Sequence, residues 1–348
     1  MKYMTQYLCQ IFLMACLAVS GAKANAQKSL NWRNGERYDK GTMQSIAMLP
    51  SGLVVEFHRS EQTFQNQTIW YHIGKITTGG TMKWGPSQSL DVQGNWPTVA
   101  LDRDGHVILV YSVYNNKKAS DLLYWVGQVK DDGDIDQKIT WHLKDQFYDS
   151  GFHPSLAMRN DGYLIGVHKS GSGGTGLYYR IGHLRDPFSG KYDIVWDTGI
   201  HGKRYDDGIN PHISFNSSNQ VVEVHQVGGG EELLHYRRGT FAFTSISFDR
   251  SERYDNHARQ PAVVLRDNGV AYELQSVGYP NTRTGILNSG DSGRIDWSDP
   301  LPIGPFTYNG YYPAIASNGK YALGVWVTTY NELYYSVALL PITREEQQ

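Results

Sequence analysis

The chain has 348 residues, with 32 basic and 34 acidic side chains and a formal net charge of −2 at pH 7. This balance excludes the basic surface that binds nucleic acid and the polybasic patch that binds an acidic membrane. The 37 glycines, 24 tyrosines and 9 tryptophans, without a long segment of helical periodicity, are typical of an all-β protein.

The N-terminal segment has the features of a secretion signal. Lys2 precedes an apolar stretch, and the Ala-Asn-Ala sequence that ends at Ala26 matches a signal-peptidase site. We therefore predict a signal peptide over residues 1–26 and a secreted or periplasmic protein that starts at Gln27. The apolar stretch is too short to span a bilayer, and no later segment could span one. Residues 13–16 loosely resemble a lipobox, so a lipoprotein anchored through Cys16 is an alternative.

A proline-led sequence recurs along the rest of the chain at intervals of 50 to 57 residues. A period of this length indicates a solenoid, a propeller or an array of repeats. The first copy has lost its proline and begins with glutamine. The six copies are Gln44-Ser-Ile-Ala, Pro97-Thr-Val-Ala, Pro154-Ser-Leu-Ala, Pro211-His-Ile-Ser, Pro261-Ala-Val-Val and Pro313-Ala-Ile-Ala.

Each copy contains four strand-like segments. The first follows the proline and ends in a turn such as Asp104-Gly105, which favours a hairpin. The second is an apolar run. The third carries an aromatic pair that is followed by glycine in four copies, and the fourth carries a tryptophan or phenylalanine. The fifth copy departs from this pattern in its third strand, around Thr284.

The sixth copy lacks a fourth strand, because the chain ends soon after Tyr335. The segment 29–39 resembles the fourth-strand segment of the fifth copy, so we predict that it completes the last blade. Such closure pairs two strand edges that would otherwise stay open. The sequence thus predicts one domain over 27–341, an all-β six-bladed β-propeller with four antiparallel strands per blade. The tail, 342–348, is predicted to be disordered.

The residue before each proline differs from copy to copy, and the repeat predicts that all six ring the mouth of the central channel. Varied polar and aromatic side chains at one repeated position indicate a ligand pocket, although loop residues also vary for no functional reason. The loop that leads into this position often reads Tyr-Asp-x-Gly, in which Asp is expected to cap a turn and Gly to supply a positive φ. The six residues are Met43, Trp96, His153, Asn210, Gln260 and Tyr312.

The second strands carry a Glu-x-His pattern, whose spacing places both side chains on one face of the strand. Arginines follow the tyrosines of the neighbouring third strands. These groups could form a buried network between blades, or they could reach the loop face and bind sugar hydroxyls. They are Glu56, His58, His168, Glu223, His225, Arg180 and Arg237.

The repeat resembles a propeller module of secreted bacterial proteins. It is similar to the tail repeats of some phosphatidylinositol-specific phospholipase C X-domain proteins, and its architecture looks like that of the six-bladed fucose-lectin-like superfamily. This resemblance implies binding of a glycan or a cell-surface polysaccharide. The third copy is also similar to the His…His…Tyr-Arg arrangement of polysaccharide lyases and related BNR-repeat proteins. If the protein is an enzyme, that similarity implies catalytic roles for His153, His168, Tyr179 and Arg180.

We predict a lectin-like propeller that recognises glycans through loops on one face. No cofactor and no metal site are predicted, because the histidines lack the spacing of a local metal motif. A polysaccharide lyase or glycoside hydrolase with one dominant site is the first alternative, and a protein-interaction platform is the second. The ligand and the oligomeric state do not follow from the sequence. The candidate ligand-binding residues are Glu56, His58, Trp96, His153, His168, Asn210, Glu223, His225, Arg237 and Tyr312.

Overall fold

The computed structural model describes residues 30–60, 67–115, 119–171, 173–185, 192–197, 199, 201–287, 294–303 and 309–341. The predicted signal peptide and C-terminal tail lie outside these ranges. The described residues form β-strands that alternate with turns and loops. Within these ranges, no helix has the length and apolar character needed to cross a membrane.

The strands form six antiparallel sheets, the blades, which are arranged in a ring as a six-bladed β-propeller. The chain begins with β1 (Asn31–Trp32) and β2 (Glu36–Lys40). Blade 1 contains β3 (Thr42–Met48), β4 (Leu53–Arg59), β5 (Thr68–Ile76), β6 (Met82–Trp84) and β7 (Gln88–Gln93); blade 2 contains β8 (Asn95–Leu101), β9 (His106–Asn115), β10 (Ala119–Gln128) and β11 (Thr140–Ser150). Blade 3 contains β12 (Phe152–Met158), β13 (Tyr163–Lys169), β14 (Gly176–Leu184), β15 (Ile194–Trp196) and β16 (Lys203–Asp207); blade 4 contains β17 (Ile209–Phe215), β18 (Gln220–Gln226), β19 (Leu234–Phe241), β20 (Ile246–Phe248) and β21 (Glu252–Asp255). Blade 5 contains β22 (Arg259–Leu265), β23 (Val270–Ser276), β24 (Pro280–Leu287), β25 (Ile295–Trp297) and β26 (Leu301–Pro302), and blade 6 contains β27 (Gly310–Ser317), β28 (Tyr321–Thr328) and β29 (Glu332–Leu339).

Blade 6 is completed by the N-terminal strands, as the sequence predicted. Both β1 and β2 pair with β29 in antiparallel fashion. The Tyr335 hydroxyl donates a hydrogen bond of 2.6 Å to Glu36, and Arg37 forms an ion pair of 3.0 Å with Glu332. The two ends of the described chain therefore share one sheet, and the ring closes without an open edge at this point.

The hydrophobic core is distributed between the blades. Among the described residues it forms six clusters, and each cluster joins two neighbouring blades. Adjacent residues of one strand serve different clusters: Val54 packs in a cluster with Leu323 of blade 6, and Val55 packs in a cluster with Leu109 of blade 2. Both faces of each blade are thus buried, which explains why the second strands read as apolar runs.

A glycine opposite an aromatic residue fixes how the third strand packs against the fourth. Gly285 pairs with Trp297, and a Cβ at Gly285 would lie 2.7 Å from the indole ring. The same cross-strand pairing joins Gly74 to Trp84 in blade 1. The fifth copy therefore keeps a regular third strand, β24, although its aromatic pair has been lost.

The innermost strands are joined to one another by a belt of hydrogen bonds around the channel. In each of four successive blades, the side chain after the proline position accepts a hydrogen bond from a backbone N–H of the next blade. In the fourth of these blades, His212 stands in place of the hydroxyl residue. Burial lowers the pKa of His212 to about 4, so the ring is neutral and its Nδ1 can accept a hydrogen bond. The bonds are Val99 N to Ser45 Oγ at 3.2 Å, Leu156 N to Thr98 Oγ1 at 3.2 Å, Ile213 N to Ser155 Oγ at 3.3 Å and Val263 N to His212 Nδ1 at 3.2 Å.

We expect Thr98→Val to lower the free energy of unfolding by about 1–3 kcal/mol, because it leaves the buried N–H of Leu156 without an acceptor. Equilibrium unfolding in urea measures the loss. Thr98→Ser is the matched control, since it keeps the hydroxyl oxygen and removes only a methyl group. Equal losses for the two variants would contradict a role for the hydrogen bond.

Candidate functional site

A β-bulge near the start of each innermost strand positions one side chain at the channel mouth. Between the pairs Thr42–Arg59 and Ser45–Phe57, β3 advances three residues while β4 advances two. The same shift occurs in all six blades. The residue before the proline position is left-handed in every blade, with φ between 46° and 57°. These six residues, which we call the axial ring, are Met43, Trp96, His153, Asn210, Gln260 and Tyr312.

The proline explains why the bulge forms at this position. Proline has no N–H to donate to a strand ladder, so it is tolerated at a bulge where the ladder is interrupted. A bulge also re-aims the side chain next to it. In blade 1 Gln44 stands in the place of proline, and its side-chain amide donates to the carbonyl of Tyr312. That hydrogen bond joins blade 1 to blade 6 across the mouth of the channel.

All six residues of the axial ring line one cavity of about 90 Å³. Each is partly exposed. The Trp96 and His153 rings meet edge to face with their centroids 4.6 Å apart. Within the described part of the chain, neither the indole N–H of Trp96 nor Nδ1 of His153 has a hydrogen-bond partner. The cavity therefore offers an aromatic surface, and two buried polar atoms beside it have no hydrogen-bond partner among the described residues.

The cavity is electrically neutral near pH 7. The described residues that line it include no Asp, Glu, Lys or Arg. Burial, helped by the charge of nearby Lys169, lowers the pKa of His153 to about 4, so its ring is uncharged. Asn210 and Gln260 supply amide groups at the same height of the channel. This set of groups can donate and accept hydrogen bonds but cannot neutralise a carboxylate.

A second cavity, of about 540 Å³, opens at the opposite end of the channel. It is lined by the turns that join the first and second strands. Arg159 donates hydrogen bonds to Asp161 and to Asn219 of the next blade, and Arg266 donates one to the carbonyl of Gly319. These charged groups hold the turns of neighbouring blades together.

The Glu-x-His residues lie between blades and away from the axial ring. Glu56 is fully buried and accepts hydrogen bonds from the Tyr38 hydroxyl at 3.2 Å and from His58 Nδ1 at 3.0 Å. Burial and the Glu56 charge raise the pKa of Tyr38 well above its usual value, which keeps this tyrosine a donor. Blade 4 repeats the arrangement with Glu223, His225 and the hydroxyl of Tyr205. In that blade, Arg237 pairs with Asp206. The structure thus places Glu56, His58, Glu223, His225 and Arg237 in the interblade network considered in the sequence analysis.

The residues of the lyase comparison are divided among three places. His153 lies in the axial ring, whereas His168 is buried and contacts Asp149 through Nε2 at 3.4 Å. Arg180 is also buried, and its guanidinium donates to the carbonyls of Tyr148 and Gly199. Tyr179 points to the other face of the sheet, where its hydroxyl accepts a hydrogen bond from Ile246 N of blade 4. The fold does not assemble these four side chains into one open site.

The glycine of the Tyr-Asp-x-Gly loop is required for close packing and not for a positive φ. Gly41, Gly151 and Gly208 are not among the residues with positive φ. Instead, a Cβ at Gly41 would lie 2.4 Å from the His58 ring, and a Cβ at Gly151 or Gly208 would lie 2.7 Å from His168 or His225. The expectation of a positive φ was wrong. Glycine is needed because the histidine ring packs directly on the backbone.

Blade 5 contains an incomplete version of the network. Glu273 is fully buried and accepts a hydrogen bond from Tyr254, but Gln275 stands where the histidine would be. Glu273 Oε2 and Gln275 Oε1 both lack partners within the described residues. Burial raises the pKa of Glu273 to about 8, so its carboxyl is protonated at neutral pH. A protonated Oε2 can donate, and Gln275 Oε1 is an acceptor on the same strand face two residues away.

Comparisons with known proteins establish the fold and no narrower family. No protein-family model matches the sequence, and no curated protein matches it. The structure of a protein of unknown function from Dyadobacter fermentans matches with a TM-score of 0.55 and 12% identity, over 90% of this chain and 98% of that one. A Trypanosoma rangeli sialidase matches with a TM-score of 0.55 and 12% identity; the match covers 90% of this chain but only 58% of the sialidase chain. The Hadza microbial sialidase Hz136 gives a TM-score of 0.56 and 10% identity, with 86% and 66% coverage. At these identities the likeness shows that the chain shares the propeller fold of these proteins.

We expect Glu273→Gln to stabilise the protein at pH 8 and to change its stability little at pH 5. The folded-state pKa of about 8 lies above the unfolded value, so the native state holds a proton that the unfolded state releases. The resulting stability is present at low pH and is lost, by about 1.4 kcal/mol per pH unit, as the pH rises toward 8. Glutamine keeps the neutral form and can donate to Gln275, so it removes this loss.

Unfolding midpoints of the wild type and the variant at pH 5 and pH 8 measure the difference. Glu223→Gln is the matched control, because His225 donates to that carboxylate and an amide would remove the charge. It should destabilise the protein at both pH values. A Glu273→Gln variant that loses stability at pH 8 would contradict a protonated Glu273.

Proposed function

We propose that the protein is a carbohydrate-binding propeller whose ligand site is the axial ring. The observation that carries the proposal is the set of six different side chains at one strained backbone position, all facing one cavity. Left-handed φ values in non-glycine residues cost of the order of 1–3 kcal/mol each, and such strain is concentrated at functional sites. The scaffold repeats while the side chains at this position diverge, which favours a binding role for them.

The chemistry of the ring suits a neutral sugar. Trp96 and Tyr312 supply aromatic faces on which the apolar side of a pyranose ring can pack. The amides of Asn210 and Gln260 can donate to and accept from hydroxyl groups. A sialic acid or a uronate inside the ring would need a cation for its carboxylate; the described lining contains none, and Arg59 and Lys169 lie outside it on the surrounding face. A neutral hexose or deoxyhexose is therefore the ligand class that fits best.

The size of the cavity indicates that only the end of a glycan enters it. Pockets that enclose a whole drug-sized ligand measure about 300–1,000 Å³, whereas this cavity measures about 90 Å³. We infer that one terminal sugar or one substituent occupies the ring, and that the rest of the chain crosses the surrounding face. Arg59 and Lys169, at the ends of β4 and β13, lie beside Tyr312 and His153 on that face.

The sialidase neighbours make a glycan-cleaving enzyme the competing hypothesis. It predicts product release, while the binding hypothesis predicts retention of an unchanged polymer. Incubation with neutral and acidic polysaccharides, followed by assays for reducing ends and unsaturated uronates, separates the two. Affinity electrophoresis on the same polymers measures binding. Product formation would replace the binding proposal, and neither product nor retardation on any polymer would overturn both hypotheses.

Trp96→Ala is expected to weaken glycan binding about tenfold or more, because it removes the aromatic wall of the ring; a factor of ten corresponds to 1.4 kcal/mol. Phe243→Ala is the matched control: it removes an exposed aromatic ring at the opposite end of the blades, also at a left-handed position. Arg103→Ala tests the second cavity. If Arg103→Ala weakened binding while Trp96→Ala did not, the ligand site would be at the other end of the channel.

Binding should be nearly insensitive to salt. No charged group lines the described part of the ring, so screening has little to act on. We expect the affinity for a neutral glycan to change less than about twofold from about 0.01 M to about 1 M salt, over which the screening length falls from about 30 Å to about 3 Å. Isothermal titration measures it. A steep fall with salt, together with a preference for acidic polymers, would contradict a neutral site.

A further inference from the structure

A second cluster of chemistry-bearing side chains lies away from the axial ring, where the closing strand meets blade 1. Asp39 on β2, His58 on β4 and His72 on β5 bring one carboxylate oxygen and two imidazole nitrogens within 4.8 Å of one another. Asp39 Oδ2 is 2.7 Å from His72 Nε2 and 3.7 Å from His58 Nε2. Tetrahedral zinc, with bonds of about 2.0–2.1 Å, requires ligand atoms about 3.3 Å apart. The two distances from Asp39 Oδ2 lie on either side of that value, and all three ligand atoms lie within 4.8 Å of one another.

Both histidines are already oriented through their other ring nitrogen. His72 Nδ1 lies 3.0 Å from the carbonyl oxygen of Gly85, and His58 Nδ1 lies 3.0 Å from a carboxylate oxygen of Glu56. Each partner is an acceptor, so each Nδ1 carries the hydrogen. The Nε2 atoms of both rings then face the same Asp39 oxygen; without metal, His72 Nε2 donates a hydrogen bond of 2.7 Å to it, and a bound metal ion would take the place of that proton. Metal-binding histidines are held in this way, by a carboxylate or a carbonyl behind the ring.

Blades 4 and 5, which keep the buried glutamate, have an arginine at the position equivalent to His72. In blade 4, His225 makes the same contacts, 3.0 Å to Glu223 and 3.7 Å to Asp206. There the third strand supplies Arg237, which pairs with Asp206. Blade 5 places Arg283 against Asp255 in the same manner. In blade 1 the corresponding residue is His72, so two imidazoles, and no arginine among the described residues, lie beside the carboxylates of Glu56 and Asp39.

We propose that Asp39, His58 and His72 bind one divalent transition metal ion, for which Zn²⁺ is the best match, and that this ion fastens the closing strand to blade 1. Two imidazoles and a carboxylate form a ligand set that zinc accepts, with a water molecule as the fourth ligand. The histidine side chains are buried, while that of Asp39 is 27% exposed and gives the ion a path from solvent. Because Asp39 belongs to the segment that completes blade 6, the ion joins blade 6 to blade 1 across the closure.

The experiment compares chelator-treated protein with the same protein after addition of Zn²⁺ or Co²⁺. We expect one equivalent of metal per chain, the visible absorption of four-coordinate Co²⁺, and a rise of about 5 °C or more in the unfolding temperature at saturating Zn²⁺. Asp39→Asn should abolish the response. His72→Arg should also abolish it while keeping the protein folded without metal, because it recreates the ion pair of blade 4.

The blade 4 site provides a test by gain of function. Arg237→His places a second imidazole beside His225 and Asp206, so the proposal expects the metal content to rise from one to two equivalents. Unchanged stoichiometry in a folded Arg237→His protein would overturn the ligand assignment. Absence of stoichiometric metal binding in the wild type would overturn the proposal. Metal binding that survives in His72→Arg would also overturn it, because an exposed histidine such as His201 would then be the ligand.

Discussion

The pairing of the N-terminal strands with β29 is the contact on which the rest of the structure depends. Every blade buries both of its faces against its neighbours, so an incomplete ring would expose the apolar faces of two blades. β1 is only two residues long, and β2 adds five. This short segment nonetheless carries Tyr38, which donates to the buried Glu56 of blade 1, and Asp39, which contacts both histidines of the proposed metal cluster. The closure is therefore made by polar side-chain contacts as well as by strand pairing.

The same side-chain network recurs at several interfaces between blades, and individual residues of it have been replaced in some of them. Tyrosine from one blade reaches a glutamate in the next, and histidine or glutamine lies beside that glutamate. Where the glutamate has been replaced by Gly166, the hydroxyl of Tyr148 and Nδ1 of His168 have no partner among the described residues. Where the histidine has become Gln275, the carboxyl of Glu273 keeps its proton. Burial makes each of these changes consequential, because a buried polar group must be paired or neutral.

The axial ring differs from this network in the kind of divergence it shows. In blades 1, 3, 4 and 5 the network differs by one member at a time, as expected of groups that hold blades together, whereas blade 2 has Leu109, Tyr111 and Trp125 at the equivalent positions. At the axial ring the backbone geometry is the same in all six blades, whereas the side chains share neither size nor polarity. The bulge fixes where each side chain points, and the contacts made there differ from blade to blade: Trp96 packs against His153, whereas Gln260 accepts a hydrogen bond from Tyr312 N.

The proline-led period, the hairpin turns and the N-terminal match were enough to predict the fold and its closure, because these local patterns survive divergence of the copies. The sequence also predicted that the axial residues form one ring, because residues at the same position of each repeat occupy equivalent places in the six blades. It did not decide which Glu, His and Arg residues were buried, as a two-residue spacing gives the face of a strand but not what covers that face. The meeting of Asp39, His58 and His72 had no signal in the chain, because ring closure and strand pairing bring together residues whose spacing matches no metal motif. The left-handed backbone at the axial ring was likewise decided by strand pairing, since a bulge is a property of two strands.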